Sequence, residues 1–316
     1  MRQYIFKRLL SAVPTLVLVS LALFVLLRTI PGDAIELMVA ESPHVRPETR
    51  DELARQLGLA DPIPVQYVRW LGNAIVGDFG TSIWTGRTVI DQINERLPVT
   101  LELTVLAVMI SLAIGIPIGV LSATKQDTLP DYVGRMIAIA GLSLPSFVTG
   151  TLVLVYLAKW FHWIPPAGYT PIYEDPLRNI QQFLLPALVL GAALAGTVMR
   201  MTRSSMLEVL RQDYVRTARA KGLQGRVIVT RHALKNAMNP IITITGNQIG
   251  NLIGGAIIVE AMFALPGLGR LTLDSIQSRD YPQVQANVMV VTIGFLLVNM
   301  IVDITYGFFD PRIRYS

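Results

Sequence analysis

The chain has 316 residues, of which 52% are hydrophobic and only 16% are charged, and it contains no cysteine. Soluble domains carry about 25% charged residues, so this composition argues against an ordinary soluble protein and indicates a membrane protein. The lack of cysteine excludes disulfides, iron–sulfur clusters, thiol nucleophiles and thiolate zinc sites, and the three widely spaced histidines form no metal-ligand pattern.

Six long apolar stretches predict six transmembrane helices, because a hydrocarbon core about 30 Å thick needs about 20 apolar residues per helical span. A signal peptide is the alternative for the first stretch, but that stretch is longer than a signal sequence and lacks a small-residue cleavage site. Two of the later stretches contain Pro145 and Pro186, which a helix bundle in a membrane tolerates. The predicted spans are 9–27, 101–123, 137–160, 183–201, 241–263 and 286–308.

The distribution of charge predicts the orientation, because Lys and Arg accumulate in cytoplasmic loops. Residues 200–240 carry nine basic residues against two acids, whereas residues 31–98 carry ten acids against six arginines. We therefore expect both termini inside, and the net charge of +5 belongs to cytoplasmic loops rather than to a nucleic-acid surface. The predicted regions are an N-terminal tail with the first span (1–30), an extracytoplasmic segment with short helices (31–98), a transmembrane core with a cytoplasmic loop at 202–240 (99–308) and a cytoplasmic tail (309–316).

The extracytoplasmic segment contains two helical patterns. Residues 49–58 predict one helix that ends at Gly58, and residues 65–75 predict another with Val65, Val68 and Ile75 on one face. Such helices could dock another protein or could cap the bundle, and the sequence leaves both interpretations open.

The next spans offer little catalytic chemistry. Ser143 follows Gly141 in a pattern that resembles the site of membrane-embedded serine proteases, but no histidine lies at membrane depth to act as its base. Ion-coupled transporters keep ionisable groups inside the membrane. Here Glu102, Glu260 and Asp303 lie near span ends, where we expect them to reach water, and this argues against a secondary transporter.

The basic loop predicts two short helices. Ser204 or Ser205 could cap the first through Glu208, and residues 213–221 predict the second, which Gly222 would end. On composition alone, the loop could also be a solvated signal for membrane orientation.

The fifth span carries two patterns. Glycines at every fourth position share one face and permit close helix packing, as in Gly246, Gly250 and Gly254. Three amides lie about 12 Å deep, counted from Pro240 at about 1.5 Å per residue. These amides, Asn247, Gln248 and Asn251, could bond to other helices or line a water-filled path, and we favour the path.

The chain lacks its own source of energy. A phosphate-binding loop closes on a Gly-Lys pair, and the sequence contains none. If transport is driven by ATP, the ATPase must be another polypeptide.

The basic loop also carries the most specific motif. It reads Asp213-Tyr214-Val215-Arg216-Thr217-Ala218-Arg219-Ala220-Lys221-Gly222-Leu223, followed by His232-Ala233-Leu234-Lys235-Asn236 and Pro240. This resembles the coupling motif of permeases of ATP-binding cassette (ABC) importers, in the version of the dipeptide/oligopeptide/nickel family. The general importer motif begins Glu-Ala-Ala, whereas this chain has Arg216-Thr217-Ala218.

The resemblance extends over nearly the whole chain. Matching segments include Gly77-Asp78-Phe79-Gly80, Pro98-Val99-Thr100-Leu101-Glu102, Leu144-Pro145-Ser146-Phe147, Arg203-Ser204-Ser205-Met206, Glu260 with Pro266-Gly267-Leu268-Gly269, Asp280-Tyr281-Pro282 and Asp310-Pro311-Arg312. It implies an all-α membrane protein with the type I ABC importer permease fold, in a bacterial plasma membrane.

The resemblance also implies a division of labour. A second homologous permease chain would share the pathway, two ATPase subunits would bind ATP and Mg²⁺, and an extracytoplasmic substrate-binding protein would deliver cargo. This chain would then hold no cofactor and catalyse no reaction. Coupling to the ATPase would fall to Asp213, Tyr214, Arg216, Thr217, Ala218, Arg219, Ala220, Lys221 and Gly222.

The resemblance does not fix the cargo. We expect dipeptides or oligopeptides, with nickel, glutathione or oligosaccharides as alternatives within the same family.

Overall fold

The structure is a computed structural model, and it describes residues 2–29 and 61–309. Within these ranges the regular structure is helical, apart from one isolated antiparallel bridge between Thr81 and Thr88. The helix predicted at 49–58 and the tail from Asp310 onward lie outside the described residues.

The helices follow each other with short connections. A π-helical stretch, Ile228–Ala233, joins α8 to α9 without a break. In chain order they are α1 (Arg2–Thr29), α2 (Ile63–Ile75), α3 (Val89–Thr124), α4 (Leu129–Ser143), α5 (Ser146–Phe161), α6 (Pro176–Leu210), α7 (Asp213–Ala220), α8 (Gly225–Val227), α9 (Leu234–Gly255), α10 (Ile257–Met262), α11 (Leu268–Gln277) and α12 (Tyr281–Phe309).

Four of the described helices are long and apolar enough to cross a membrane, namely α1, α3, α6 and α12. The pair α4 and α5 also qualifies, but it bends by 95° between Ser143 and Ser146. The span predicted at 137–160 is therefore not one continuous helix but is broken at Leu144 and Pro145. Leu144 is extended (φ −93°, ψ 118°), because a residue before proline is pushed out of the helical region.

The six-span count stays a prediction, since the described helices give four spans, or five with the bent pair. The helix of the fifth predicted span, α9, is not among them. Its amides make it less apolar than the other spans, and it ends at Gly255, before the short α10.

The centre of the bundle is the parallel pair α3 and α6. Glycines let the two backbones approach, since a Cβ on Gly115 would lie 2.7 Å from Val198 and one on Gly191 would lie 2.7 Å from Ile110. Buried apolar residues of both helices, including Leu103 and Phe183, continue into α9 and α10.

Helix boundaries differ from the sequence expectations at two places. The helix α3 begins at Val89, well before residue 101, and α6 runs unbroken to Leu210. The predicted cap at Ser204 or Ser205 is therefore wrong, and Ser205 is buried inside α6. The helix predicted at 65–75 is confirmed by α2, and the one at 213–221 by α7.

Candidate functional site

The helix α7 has one inward side. Val215 and Ala218, three residues apart, are 0% and 8% exposed and pack with Ile228 and Leu210. Residues at this spacing share one side of a helix. These two side chains therefore pack α7 against the end of α6 and the start of the π-helical stretch.

The other predicted coupling residues of α7 face outward. Arg216 and Asp213 form an ion pair of 3.4 Å at the surface, with side chains 75% and 95% exposed. The exposed set is Asp213, Tyr214, Arg216, Thr217, Arg219, Ala220, Lys221 and Gly222. The structure thus leaves eight predicted residues accessible, three of them basic and one acidic, and it places Ala218 beneath them.

Gly222 ends the motif because the backbone there has φ +78°, a conformation that other residues seldom adopt. The Gly222 N–H donates to the Arg219 carbonyl (2.9 Å), and the Leu223 N–H donates to the Ala218 carbonyl (3.3 Å). These bonds satisfy carbonyl groups at the end of α7.

A hydrogen bond and the π-helical stretch connect α7 to α9. The Asn236 side-chain amide of α9 donates to the Tyr214 hydroxyl at 2.9 Å. The π-helical stretch after α7 runs directly into α9. Ala233, the last residue of that stretch, and Ala237 of α9 are buried against Met206 of α6. The helix α7 is therefore in direct contact with the segment that leads into α9, and that segment packs against α6.

A buried carboxylate lies at the same end of the bundle. Asp131 of α4 is 0% exposed, and both of its oxygens accept from the guanidinium of Arg203 of α6, at 2.8 and 2.9 Å. The Ser122 hydroxyl of α3 and the Asp127 N–H also donate to it, and Arg135 adds a contact of 3.1 Å. Sequence reasoning missed this cluster, because Asp131 and Arg203 are distant in the chain and each resembles an ordinary loop charge.

The glycines of α9 lie against α12. A Cβ on Gly246 would overlap the Val302 side chain, and one on Gly254 would lie 3.1 Å from Val291. Gly250 lies between them, against the Phe295 ring. All three therefore lie where α9 and α12 approach closely.

The three amides of α9 separate onto two sides of the helix. Gln248 is 6% exposed, and its Nε2 donates to the Leu194 carbonyl of α6 at 3.2 Å. Its Oε1 has no partner within the described ranges. Asn247 and Asn251 are exposed, together with Thr243, and these three residues recur at every fourth position along one face.

Glu260 does not reach water, contrary to expectation. Its side chain is 0% exposed, and its carboxylate accepts from the Thr100 hydroxyl at 2.6 Å and from the Arg270 N–H at 2.9 Å. Thr100 accepts in turn from the Leu268 N–H at 2.8 Å. Because these N–H groups belong to the first turn of α11, the Glu260 carboxyl group and the Thr100 hydroxyl together cap that helix. A Cβ on Gly267 would overlap the carboxylate.

The other acids near span ends also have partners. The Tyr169 hydroxyl and the Asn179 amide donate to Glu102, at 3.2 and 2.6 Å. Burial, and secondarily the Glu102 carboxylate, raises the pKa of Tyr169 to about 12, so this hydroxyl stays protonated and donating. Asp303 of α12 forms an ion pair with Arg8 of α1.

Catalytic alternatives gain no support from the geometry. Ser143 is the exposed last residue of α4, and in the described part of the chain no hydrogen bond links it to His162 or His232. The described residues also contain no group of three or more histidines and acids that could hold a metal ion.

Sequence comparisons identify related proteins over the full length. Residues 115–315 match the family described as "Binding-protein-dependent transport system inner membrane component", and residues 1–104 match the N-terminal family of the same membrane components. The glutathione transport system permease protein GsiC of Salmonella paratyphi A is 39% identical over 316 residues, 100% of both chains. GsiC of Escherichia coli K12 is 38% identical over the same length.

Solved structures share the fold. An inward-facing MetNI methionine ABC transporter matches with a TM-score of 0.52 and 18% identity, over 68% of this chain and 96% of that chain. An amino acid ABC transporter with histidines matches with a TM-score of 0.53 and 17% identity, over 68% and 93%. At this identity the likeness shows the fold alone, and that fold is the one predicted from the sequence.

Proposed function

Since this chain belongs to the inner-membrane components of binding-protein-dependent transport systems and is the permease subunit of an ABC importer, we propose that it moves small peptides, including glutathione, into the cytoplasm. The observation that carries the choice of cargo is the 39% identity to a glutathione permease over the whole of both chains. Dipeptides and longer peptides belong to the same proposal, because they present the same amide and carboxylate groups.

The permease is not an enzyme, and ATP hydrolysis belongs to separate subunits. An importer of this family works with ATPase and substrate-binding partners. We propose the finer composition of two ATPase subunits, which bind ATP and Mg²⁺, and a second homologous permease chain. In this proposal the chain itself holds no cofactor.

The exposed side of α7 is the proposed contact with the ATPase. It is mainly basic and accessible, and the inward pair Val215 and Ala218 fixes its orientation. Closure of the ATPase subunits would move α7, and the hydrogen bond from Asn236 to Tyr214 and the unbroken chain into α9 would carry the movement into the membrane. Rigid-body rocking of the bundle then alternates access to the central pathway.

The face formed by Thr243, Asn247 and Asn251 is the proposed lining of the pathway. These side chains are polar, uncharged and exposed in the single chain, although they lie on a helix inside the bundle. Thr243 already donates to the Asn239 carbonyl, whereas side-chain amides such as those of Asn247 and Asn251 need partners or water at membrane depth. A pathway shared with a second permease chain supplies both, and neutral amides can pass a peptide without holding it tightly.

Reconstitution tests the proposal. The chain is placed in liposomes with its second permease, ATPase and binding-protein partners, and uptake of radiolabelled glutathione is measured with ATP and with a non-hydrolysable analogue. We expect uptake only with ATP and binding protein, and competition by unlabelled small peptides. Uptake by the chain alone would instead indicate a channel or secondary transporter, and failure of peptides to compete would disprove the cargo.

A further inference from the structure

The helix α2 has two opposite faces. At about 100° per residue, Gln66, Arg69 and Asn73 lie on one side of the helix, which we call the polar face. Tyr67, Val68, Leu71 and Ile75 lie on the other side, which we call the apolar face. Val68 and Ile75 are 69% and 77% exposed in the structure, so neither is covered by the described chain.

The helix α1 provides a depth scale for α2. No charged residue lies between Arg8 and Arg28. Their separation of twenty residues corresponds to about 30 Å of helix, the thickness of the hydrocarbon core. The charge distribution places Arg28 at the outer boundary of the membrane.

Two side chains of α2 contact α1 at different depths. The Arg28 Nε donates to the Gln66 Oε1 at 2.9 Å, so the polar face meets α1 at the membrane boundary. The Tyr67 hydroxyl lies 3.0 Å from the Ser20 hydroxyl. Ser20 is eight residues below Arg28, or about 12 Å deeper. The direction from the polar face to the apolar face therefore points into the membrane.

The surroundings of α2 fit a position at the interface. Tyr67 and Trp70 stack against each other, and Phe24 of α1 contacts Tyr67 edge-on and Trp70 at a tilt. Tyr and Trp are enriched where bilayer and water meet. At the same depth α1 exposes apolar side chains, including Leu21 and Val25. The apolar face of α2 therefore lies at the same depth as the exposed apolar side chains of α1.

We propose that α2 lies in the plane of the outer membrane–water interface, with Val68 and Ile75 inserted among lipid acyl chains and Arg69 and Asn73 in water. It anchors the extracytoplasmic part of the chain to the outer leaflet, as amphipathic interfacial helices do. This assigns the apolar face of α2 to lipid, rather than to a docked protein or to the bundle.

Spin labelling tests the position, and the absence of cysteine from this chain lets each single-cysteine variant be labelled at one site before it is assembled with unlabelled partner subunits. The variants Val68→Cys, Ile75→Cys, Arg69→Cys and Asn73→Cys carry the nitroxides, and the complete importer is then reconstituted in liposomes. Collisions with oxygen, which concentrates in lipid, are compared with those of a water-soluble nickel chelate. We expect oxygen to dominate at positions 68 and 75 and the nickel chelate at 69 and 73.

The controls separate lipid from protein. Co-purification of the partner subunits confirms assembly of each variant. Saturating binding protein should leave the signals at 68 and 75 unchanged. Equal access of the nickel chelate to all four positions would overturn the proposal and show that α2 is surrounded by water. Low access to both reagents at 68 and 75, with or without binding protein, would overturn it in favour of a covering protein.

Discussion

At the scale of single residues, the packing of Glu260 explains why a glycine stands at position 267. The carboxylate is enclosed by the Thr100 hydroxyl and the first turn of α11, and no cation pairs with it within the described ranges. The space left for it is so small that Gly267 cannot carry a Cβ. Thr100, Glu260 and Gly267 therefore form one unit that joins α3, α10 and α11.

A substitution at Gly267 should break this unit. In Gly267→Ala the new methyl group displaces the carboxylate and leaves buried donors unpaired, at a cost of about 1–3 kcal/mol. We expect the thermal unfolding midpoint of the purified chain to fall by at least about 3 °C. The matched control is Gly225→Ala, where a Cβ meets nothing within 4 Å, and equal midpoints in the two variants would contradict the interpretation.

Substitution by leucine should reduce uptake at Asn251 but not at Gln248. Asn251 is exposed on the proposed pathway, so Asn251→Leu should reduce ATP-driven glutathione uptake about fivefold, the equivalent of about 1 kcal/mol of lost hydrogen bonding, without loss of assembly. Gln248→Leu loses the one bond to the Leu194 carbonyl but also removes a buried, unpaired Oε1, so uptake and assembly should both stay nearly unchanged. Uptake and subunit co-purification measure the two effects. Loss of the complex in Asn251→Leu would indicate a packing role.

At the scale of elements, the two sides of α7 decide which substitutions test coupling. A charge at the buried Ala218 would unseat the helix, so loss of uptake there would not distinguish coupling from folding. Ala220 is exposed and close to the basic residues, so a charge there changes only the surface.

We expect Ala220→Glu to abolish ATP-dependent uptake while the chain still inserts and keeps its unfolding midpoint, because a carboxylate alters the surface offered to the ATPase. Uptake and co-purification of the ATPase subunits measure this. The matched control is Gln277→Glu, which places the same charge at an exposed position at the end of α11, away from α7. Normal uptake in Ala220→Glu would disprove the coupling surface.

At the scale of the whole molecule, the Asp131 cluster ties three membrane helices together beside α7. It joins the end of α3, the start of α4 and the last turns of α6 through one buried carboxylate. In the proposed mechanism this cluster would hold the three helices together while the bundle rocks.

Removal of one partner of this pair should be costly. In Asp131→Ala the Arg203 guanidinium loses both carboxylate contacts, and we expect about 3–5 kcal/mol of destabilisation. Arg135→Ala, which removes a half-exposed partner of the same carboxylate, should cost less than about 1 kcal/mol. Thermal unfolding of both variants and of the Asp131→Ala/Arg203→Ala double variant measures the coupling. Additive losses would show that the two residues act independently.

Much of the fold could be predicted because its signals are local. Apolar runs specify the spans, and Gly222 ends α7 at a position of positive φ. The sequence placed Pro145 inside a span but could not give the 95° bend there, since a proline in a membrane helix can be tolerated or can break it, and neighbouring helices decide. The caps at Ser204 or Ser205 were predicted wrongly, because packing of α6 against α3 carries the helix past them.

The sequence by itself determined the membrane class, the orientation signal, the coupling motif and the need for an external ATPase, since each depends on composition or on residues adjacent in the chain. Only the tertiary structure decided which motif residues face outward, that Gln248 is buried while Asn247 and Asn251 are exposed, that Glu260 is enclosed, and that Asp131 pairs with Arg203. Burial and pairing join residues far apart in the chain, and those contacts form only when the helices pack.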